Sequence, residues 1–452
     1  MAGLDLRSLL ENAGEGDLDR WARTINPQFV RVLRTIGFDR RWARAEGAYL
    51  YDTDGSRYLD LLGGFGMYNV GRNNRAVRAA LIEALELDTP GMLAMGVTAL
   101  PGLLAAALLE RTPPRIERCL FTSSGTEANE AAFKLGRAAT KRPRVISTEH
   151  GFHGLTLGAL SANGNPEFTA RFQPLLPGFE RVPFGDLDVL ESQLKQEDVA
   201  VFIVEPVQGK GINLPPAGYL EGAQALCRRY GTLFCVDEVM TGFGRTGAMF
   251  AFEHWGLEPD MVTVAKSLSG GYVPVGALLM ARSVHEAVFD SMPHAMSHGS
   301  TFAPNELAMV AGLAMLQELD ERGLVERSAQ LGERLLERTR PLVDEFDVVR
   351  DVRGIGLMWA IEFDGDGFAY RMLERAQRGL FAQLVVVPLF TEHRILTQVA
   401  GHDMAVVRIL PPFVLSDEDI DEFADALRTT VKRARRMPSS LTKFALTAAG
   451  VR

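Results

Sequence analysis

Lys266 and Asp237 are the residues whose surroundings most clearly suggest chemistry in this chain of 452 residues. Lys266 follows a short apolar run, residues 261–265, and precedes a small, Gly-rich stretch. A second apolar run, residues 233–236, ends in Asp237 and a further carboxylate, Glu238. Ligands of parallel sheets bind at the carboxyl ends of the strands, so these runs predict an amine and a carboxylate in one crevice. Taken alone, Lys266 could be a surface lysine and Asp237 a structural aspartate. Their occurrence after neighbouring strands argues against both alternatives.

A third group of residues could bind an anion. The sequence Ser-Ser-Gly-Thr-Glu at 123–127 follows a predicted strand and opens an Ala-rich helix. Ser124 and Glu127 have the spacing of a capping box, in which each side chain bonds the other end of the first helical turn. Gly125 would let the free backbone amides and the helix dipole approach a phosphate. A plain helix cap is equally compatible with this spacing.

Phe152 lies in a Gly-flanked turn between His150 and His153, after a predicted strand that ends at Ser147. Its ring could stack on a flat heteroaromatic group, which gains dispersion contacts and excludes water from one face. A core phenylalanine with two ordinary loop histidines is the alternative. No further His or Cys follows at ligand spacing, so the two histidines do not predict a zinc site, and we expect no metal.

These groups together match what pyridoxal 5'-phosphate requires. Lys266 could form a Schiff base with the cofactor aldehyde and later carry a proton, since desolvation and a nearby cationic ring lower the pKa of a lysine. Asp237 could keep the cofactor's ring nitrogen protonated, so that the ring draws electrons from the substrate carbon. The turn at Ser124 could take the phosphate, and Phe152 could stack on the ring.

Other catalytic motifs are absent from the sequence or do not fit their context. Residues 242–247 match the letter pattern GxGxxG, but the following residues show no clear amphipathic helix and no acidic residue at the expected distance. We interpret this match as chance. The chain contains no GxSxG elbow, no Walker loop and no HExxH sequence.

The elements that must position these residues form an alternating pattern. Between about residues 98 and 285, nearly continuous apolar runs are separated by helical stretches, which is typical of a parallel sheet covered by helices on both faces. A hairpin around the Asp-Gly turn at 54–55, and the helices and hairpin-like segment after residue 306, predict a smaller α+β unit. The fold class is therefore α/β, with predicted parts at residues 1–90, 91–330 and 331–452. The strand candidates are residues 118–121, 144–147, 199–204, 233–236, 261–265 and 275–280.

Composition excludes several classes of protein. Lys and Arg total 48 against 57 Asp and Glu, and no stretch concentrates basic residues, which argues against a nucleic-acid-binding surface. The three cysteines include no CxxC pair, which favours reduced thiols in the cytoplasm. The acidic N-terminus predicts no signal peptide. The longest apolar runs are far short of the ~20 residues of a membrane span, so we expect none.

Over about residues 48–427 the sequence resembles the class III aminotransferases of fold type I. This group contains ornithine, acetylornithine, putrescine and 4-aminobutyrate aminotransferases and glutamate-1-semialdehyde aminomutase. The most specific part of the resemblance is the run at 237–247 followed by Lys266. It implies a large cofactor domain with a mostly parallel sheet, a small α+β domain built from both chain ends, and a homodimer with its active sites at the subunit interface.

The resemblance also implies roles for individual residues. Gly125 and Thr126 correspond to the phosphate cup, and Thr301 to a threonine that reaches the phosphate of the neighbouring subunit's cofactor. Glu205 and Arg408 are similar to a switch pair, in which the arginine binds a substrate α-carboxylate and the glutamate masks it when an amine without one enters. A bidentate guanidinium suits that carboxylate. Met240 stands where many members have a glutamine near the cofactor's phenolic oxygen, whereas the aminomutases share the methionine.

Leu155 narrows the choice of substrate. Acetylornithine-type enzymes carry an arginine at this position, so acetylornithine and ornithine are disfavoured, and residues 152–161 look closest to putrescine-type enzymes. We predict transfer of an amino group from a primary ω-amine to a 2-oxo acid such as 2-oxoglutarate or pyruvate, with diamines and bulky apolar amines as candidate donors. The alternatives are an aminomutase and a catalytically idle, cofactor-binding regulatory module.

The segment between Gly379 and Arg408 is longer than the resemblance leads us to expect, and it begins with an apolar run at 380–390. One hypothesis is that this segment lines an apolar substrate tunnel that admits a bulky or lipid-like amine. The alternative is additional core for the small domain.

Overall fold

The computed structural model describes residues 3–12, 16–93, 95–376, 378–401 and 404–436. The outer bounds predicted for the two end parts, residues 1 and 452, lie outside the described residues. The first elements are α1 (Leu6–Glu11), α2 (Asp17–Thr24), α3 (Pro27–Ile36), β1 (Trp42–Glu46), β2 (Tyr49–Asp52), β3 (Arg57–Asp60), α4 (Gly63–Gly66), α5 (Arg75–Glu86) and α6 (Ala99–Leu109). The central elements are β4 (Ile116–Thr122), α7 (Gly125–Thr140), β5 (Arg144–Thr148), α8 (Leu157–Ser161), α9 (Pro166–Thr169), β6 (Phe179–Val182), α10 (Leu187–Leu194), β7 (Val199–Val204), α11 (Tyr219–Tyr230), β8 (Leu233–Asp237), β9 (Met261–Val264), β10 (Gly276–Ala281) and α12 (Arg282–Glu286). The last elements are α13 (Glu306–Glu321), α14 (Leu324–Thr339), α15 (Leu342–Glu345), β11 (Val349–Ile355), β12 (Met358–Phe363), α16 (Phe368–Ala376), α17 (Leu380–Thr391), β13 (Ile395–Leu396), β14 (Gln398–Val399), β15 (Val406–Ile409) and α18 (Asp417–Arg436).

A seven-stranded sheet forms the centre of the molecule, with strand order β4-β10-β9-β8-β7-β5-β6. β10 pairs antiparallel with both neighbours, and the pairs among β9, β8, β7, β5 and β6 are parallel. Every residue of β7 is buried, and burial of each Val, Ile or Phe contributes about 1.5–3 kcal/mol relative to exposure. The predicted α/β class and mostly parallel sheet are confirmed.

The direction of these strands decides where a site can form. β5, β7, β8 and β9 run parallel, so the loops that follow them meet at one edge of the sheet, together with the loop after β4. Asp237 ends β8 and pairs in register with Thr263 of β9, and Lys266 follows β9 after one intervening residue. The predicted crevice therefore lies at the carboxyl edge of the sheet.

Two four-stranded sheets are built from the chain ends. β1, β2 and β3 form antiparallel neighbours, and β13 joins β3 in parallel, so the first sheet contains strands from both ends of the chain. The second sheet has the order β11-β12-β15-β14. Both predicted hairpins are present, as β2–β3 and β11–β12. The division into parts at 90 and 330 stays a prediction.

Helix α17 is the principal element of the segment between Gly379 and Arg408. Most of its apolar side chains are buried, including Phe381, Val385 and Leu389. The helix packs against α16 and α18, and it touches β13, β14 and β15. The segment therefore does add core to this part of the molecule, as the alternative interpretation held.

Arg245 connects the central part of the chain to both ends. Its side chain is fully buried, and its guanidinium donates hydrogen bonds to three acceptors: the backbone oxygens of Leu357 and Pro411 and Oδ1 of Asn69. Gly244 and Gly247 beside it both have φ of 87°, a backbone conformation that favours glycine. The GxGxxG sequence is thus part of a buried junction, and a 3-10 helix at Ala251–Trp255 follows it instead of a long helix.

Candidate active site

A cavity of about 530 Å³ lies at the carboxyl edge of the seven-stranded sheet. It is built from the loops after β4, β5, β8 and β9 and from residues just before β10. The structure thus brings together groups that the sequence predicted to meet. The predicted site residues in its lining are Ser124, Gly125, Thr126, Phe152, Leu155, Asp237 and Lys266.

Lys266 begins a short 3-10 helix, Lys266–Ser269, and has a left-handed backbone with φ of 44°. Such a conformation is unusual for a residue with a side chain and occurs most often at functional sites. Burial lowers the pKa of the Lys266 amine below its ordinary value, and the positive charge of Arg408 lowers it further. The carboxylates of Asp237 and Glu205 oppose this effect. The amine is therefore more easily deprotonated than a surface lysine.

Asp237 is fixed by three hydrogen bonds to its two oxygens. Oδ1 accepts from the backbone N–H of Val239 at 3.0 Å, and Oδ2 accepts from Asn129 Nδ2 at 2.9 Å. Oδ2 also bonds His153 Nδ1 at 2.7 Å. Burial raises the pKa of Asp237, but the bonds from His153, Val239 and Asn129 outweigh it and hold the pKa below the ordinary value. The carboxylate is ionised and keeps a lone pair for one more donor, since a carboxylate offers about four acceptor positions.

Glu238, the second carboxylate of the pair, has a different role. Its Oε1 accepts from the backbone N–H of Phe252 at 2.8 Å, and its Oε2 accepts from the Thr241 hydroxyl. Burial raises the pKa of Glu238 to about 7. Successive side chains of a strand point to opposite faces, so only Asp237 lines the cavity. Glu238 instead holds the loop that leads to the Arg245 junction.

The turn at residues 123–126 has the form of a phosphate site. Ser124 caps helix α7, and its side chain accepts from the backbone N–H of Glu127. The Glu127 carboxylate accepts from Ser123 N–H at 2.8 Å, one residue earlier than in the predicted capping box. The N–H groups of Gly125 and Thr126 have no partner among the residues the structure describes. A Cβ at Gly125 would lie 2.8 Å from a methyl group of Val239, so only glycine allows this close packing.

Phe152 and Glu205 are joined through the backbone. The N–H of Phe152 donates to Glu205 Oε1 at 2.9 Å, which fixes the loop after β5 on the loop after β7. The Phe152 ring lines the cavity together with Val239, and it packs edge to face on Phe168 at 5.2 Å between ring centroids. The aromatic ring is therefore held rigidly at the site, as stacking on a flat group would require.

Arg408 and Glu205 both bond to the backbone of Gly209. Arg408 donates to the backbone oxygen of Gly209, and the N–H of Gly209 donates to Glu205 Oε2 at 2.9 Å. Burial lowers the pKa of Arg408 to about 10, and Glu205 opposes this shift. Burial raises the pKa of Glu205. Met240 packs against the same glycine. Arg408, Glu205 and Met240 lie outside the lining of the cavity, and the predicted contact of Met240 with the cofactor stays a prediction.

Thr301 is exposed and does not line the cavity. Its neighbour Ser300 approaches the phosphate turn, with its hydroxyl 3.1 Å from the hydroxyl of Ser123. The predicted role of Thr301 requires a second subunit and stays a prediction.

Sequence reasoning missed three residues around the site. His153 and Asn129 hold Asp237, although the sequence showed only an ordinary loop histidine and a helix asparagine. Lys210 is buried, forms an ion pair with Glu167 and lies 4.4 Å from the ring centroid of Phe168. Burial, with a smaller effect of Arg408, lowers the pKa of Lys210 to about 8. Its position between glycines in the loop after Glu205 was the available signal.

The arrangement fits pyridoxal phosphate. The free amides of the 123–126 turn suit a phosphate, the remaining lone pair of Asp237 suits a protonated ring nitrogen, and Lys266 suits an aldehyde. His153 Nε2 and Asn129 Oδ1 are buried without a partner within the described part of the chain, which suits a site that binds a polar ligand. No three His, Cys, Asp or Glu residues within the described ranges form a possible metal site.

Residues 37–431 match the family model described as aminotransferase class-III. The chain belongs to the class III aminotransferases. It is 37% identical over 427 residues to the putrescine aminotransferase of Pectobacterium atrosepticum, covering 90% of this chain and 87% of that protein. It is 33% identical over 466 residues to aminotransferase PigE of Serratia sp., covering 95% of this chain but 55% of PigE, so it spans about half of that relative. A solved ornithine aminotransferase from Toxoplasma gondii has a TM-score of 0.82 and 27% identity, covering 96% of this chain and 99% of the other.

Membership in this family establishes several points about the class III aminotransferase described here. Its fold is the fold-type I transaminase fold, its cofactor is pyridoxal 5'-phosphate, and it is an aminotransferase. The comparisons favour amino transfer over the aminomutase alternative. None of the helices in the described ranges combines the length and apolarity of a membrane crossing.

Proposed function

We propose that this aminotransferase takes the amino group of a primary ω-amine and passes it to a 2-oxo acid such as 2-oxoglutarate or pyruvate. The observation that carries the proposal is the Arg408–Gly209–Glu205 arrangement beside Lys266. The guanidinium of Arg408 can bind the carboxylate of the acceptor. When the donor carries no carboxylate, the neighbouring Glu205 carboxylate can balance the positive charge of Arg408. Both substrates can then use one site in turn.

Lys266 would carry the proton during the transfer. When bound, pyridoxal phosphate supplies an electron sink that makes the hydrogen on the carbon next to the substrate nitrogen acidic. The lowered pKa of the Lys266 amine favours its neutral form, which can accept that proton and return it at the other end of the transfer. Asp237, held ionised by its three hydrogen bonds, would keep a proton on the ring nitrogen.

Arg408 would select the acceptor. Its pKa of about 10 keeps the guanidinium charged at neutral pH. Arg408 and Glu205 are linked by hydrogen bonds to the backbone of Gly209. The backbone of Arg408 lies in β15, where it pairs with Ala360 of β12 and Gln398 of β14. A planar, charged guanidinium held on a strand can donate two parallel hydrogen bonds to a carboxylate.

Leu155 supports a donor that carries no carboxylate at its far end. Its side chain lines the cavity and is 57% exposed in the single chain. An apolar side chain here offers no charge to hold a second carboxylate, whereas it can contact methylene groups. The putrescine aminotransferase of Pectobacterium is similar over most of its length, which agrees with a donor of this kind. Diamines and bulky apolar amines are therefore the proposed donors.

We further infer that two copies of the chain form a homodimer that completes the site. Apolar side chains near the cavity are exposed in the single chain, among them Leu155, Leu157 and Phe302. Phe302 is 65% exposed and follows Thr301, the residue proposed to reach the partner's phosphate. Sedimentation analysis of the loaded enzyme tests this inference, and a monomer at micromolar concentration with full activity would contradict it. The cytoplasmic location stays a prediction.

The test of the function is a panel of amine donors with the cofactor absorbance as readout. Amines without a carboxylate should convert the cofactor in the absence of any acceptor, and a 2-oxo acid should restore it. In Arg408→Gln the first reaction should continue, while the KM for the 2-oxo acid rises roughly 10-fold or more because a charged clamp is lost. Repeated turnover without any 2-oxo acid, beyond one equivalent of product per cofactor, would indicate an aminomutase and refute the proposal.

A further inference from the structure

A second cavity, of about 840 Å³, lies between helices α2, α3 and α17. We call it the tail groove. Its volume falls within the roughly 300–1,000 Å³ of small-molecule sites. Asp17, Arg40 and Arg41 also line it, and Arg41 pairs with Asp17 at 3.3 Å, but most of its wall is apolar. The large apolar side chains include Trp21, Phe29, Leu33, Phe65, Val386 and Phe390.

The tail groove adjoins the carboxylate clamp. Phe65 lines the groove, and its ring centroid lies 6.0 Å from the guanidinium carbon of Arg408. Gln398 also lines the groove and is the residue of β14 that pairs in register with Arg408. Arg408 also acts electrostatically on the Lys266 amine, so it lies between the two cavities and neighbours both.

Polar atoms without partners mark the same space. Oε1 of Gln383, Oγ1 of Thr397 and Oε1 of Gln398 are buried and have no hydrogen-bond partner within the described ranges. All three residues line the tail groove, and Thr397 is only 1% exposed. Buried polar atoms in folded proteins almost always have a partner, supplied by protein, water or ligand. Three of them along one cavity point to an occupant with a polar part as well as an apolar part.

We propose that the tail groove binds the distal end of the amine donor, and that the donor is a primary amine with a long linear hydrocarbon chain. The inference rests on the proposed amino transfer and names its substrate class. The amine lies at Lys266, the chain passes Phe65 and Arg408, and its tail lies among Trp21, Phe29 and Val386. The polar atoms near Gln398 take a hydroxyl group of the chain or a water molecule. The apolar wall of the tail groove then selects the donor, without a charged side chain that binds a second charged group of the donor.

A series from butylamine to decylamine tests the groove. The kcat/KM of the donor reaction should rise about two- to fourfold with each methylene until the groove is filled, because each buried methylene adds transfer free energy. Chains with one hydroxyl group form a second arm, which shows whether the polar atoms contact the donor or water. A flat profile over the whole series would overturn the proposal.

Val386→Phe and Val387→Phe form a matched pair, since the two residues are adjacent in α17 and only Val386 lines the groove. Val386→Phe should lower the ratio of kcat/KM for decylamine to that for butylamine by about tenfold or more, as several methylenes lose their burial. Val387→Phe should leave the ratio as it is in the natural chain. Equal ratios in both variants, with unchanged melting temperatures, would contradict the proposal.

Tryptophan emission gives a readout that needs no turnover. Trp21 lines the groove, so decylamine should shift the emission of the loaded enzyme, and the shift should shrink in Trp21→Phe but not in Trp255→Phe. If no amine of any length reacts, the amino-transfer proposal fails, and this titration still decides the groove. Emission that no amine changes would overturn the proposal.

Discussion

At the scale of single residues, the hydrogen-bond partners of two adjacent carboxylates separate their roles. Asp237 receives three donors and is held ionised, whereas burial raises the pKa of Glu238 to about 7. The sequence presented both at one strand end, and the alternation of side chains along β8 sends only the first into the cavity. His153 and Asn129 make that difference, and no spacing in the sequence pairs them with Asp237.

Replacement of Lys266 by alanine should separate cofactor binding from chemistry. The Lys266→Ala variant keeps the phosphate turn and Asp237, so it should bind pyridoxal phosphate without a covalent bond. The visible absorbance of the lysine-bound cofactor should be missing, and turnover should fall at least about 10³-fold because the proton carrier is lost. Lys195→Ala, at an exposed helix end, is the control. Normal turnover by Lys266→Ala would refute the assignment.

Glu238→Gln should change how stability depends on pH. A raised folded pKa means that the folded state prefers the neutral acid, so ionisation costs stability as pH rises from about 4.5 to 7. The total cost is roughly 3 kcal/mol at most. Glutamine keeps an acceptor for Phe252 N–H and does not ionise. The melting temperature of Glu238→Gln relative to the natural chain should therefore increase between pH 5 and pH 8.

The exposed Glu221→Gln exchange on α11 is the control for that experiment. Its melting temperature should follow that of the natural chain over the same pH range. A constant difference between Glu238→Gln and the natural chain would show that Glu238 is ionised in the folded state.

At the scale of elements, strand ends and helix starts are what the sequence predicts well. β7 was predicted with its observed bounds, and the other five strand candidates differ from the observed strands by one or two residues at one or both ends. Continuous apolar runs bounded by turn residues specify such strands. β6 was missed, because only one of its four residues is buried and the run carries two charged residues. The loops that carry His153 and Lys210 have no hydrophobic periodicity, so the sequence does not predict where these side chains lie.

Gly125→Ala tests the close packing at the phosphate turn. The new Cβ would lie 2.8 and 2.9 Å from the two methyl groups of Val239, so the turn has to shift. We expect the Kd of pyridoxal phosphate to rise roughly 10- to 100-fold, which corresponds to an overpacking cost of about 1–3 kcal/mol. Gly102→Ala in α6 is the matched control, because a Cβ there meets nothing within 4 Å. An unchanged Kd in Gly125→Ala would mean that the turn is not the phosphate site.

At the scale of the whole molecule, contacts distant in sequence join the two ends of the chain to each other and to the central part. The alternation of apolar runs and helical stretches predicted the α/β class. The large and small domains and the homodimer were implied by the family resemblance. Periodicity alone could not show that β13 pairs with β3, since a two-residue strand carries almost no signal. Nor could it show that Arg408 pairs in the second sheet with Gln398, which lines the tail groove.

Arg245→Lys should weaken the molecule as a whole. Lysine keeps the charge but cannot span the acceptors on Asn69, Leu357 and Pro411, so buried groups lose their partners. We expect the free energy of unfolding to fall by about 3 kcal/mol or more. Urea denaturation at a fixed cofactor concentration measures the change, and Arg340→Lys on the surface is the control. If the two variants have equal free energies of unfolding, Arg245 does not stabilise the junction between the central part of the chain and its ends.

The buried guanidinium of Arg245 also has a consequence for how the chain can come apart. Its acceptors belong to segments near residues 69, 357 and 411, so either end of the chain can detach only by breaking hydrogen bonds of this buried cation. The two ends of the chain are therefore coupled through this one side chain. A protease that cuts exposed loops should then leave the fragments assembled, and their release should coincide with the loss of the entire structure.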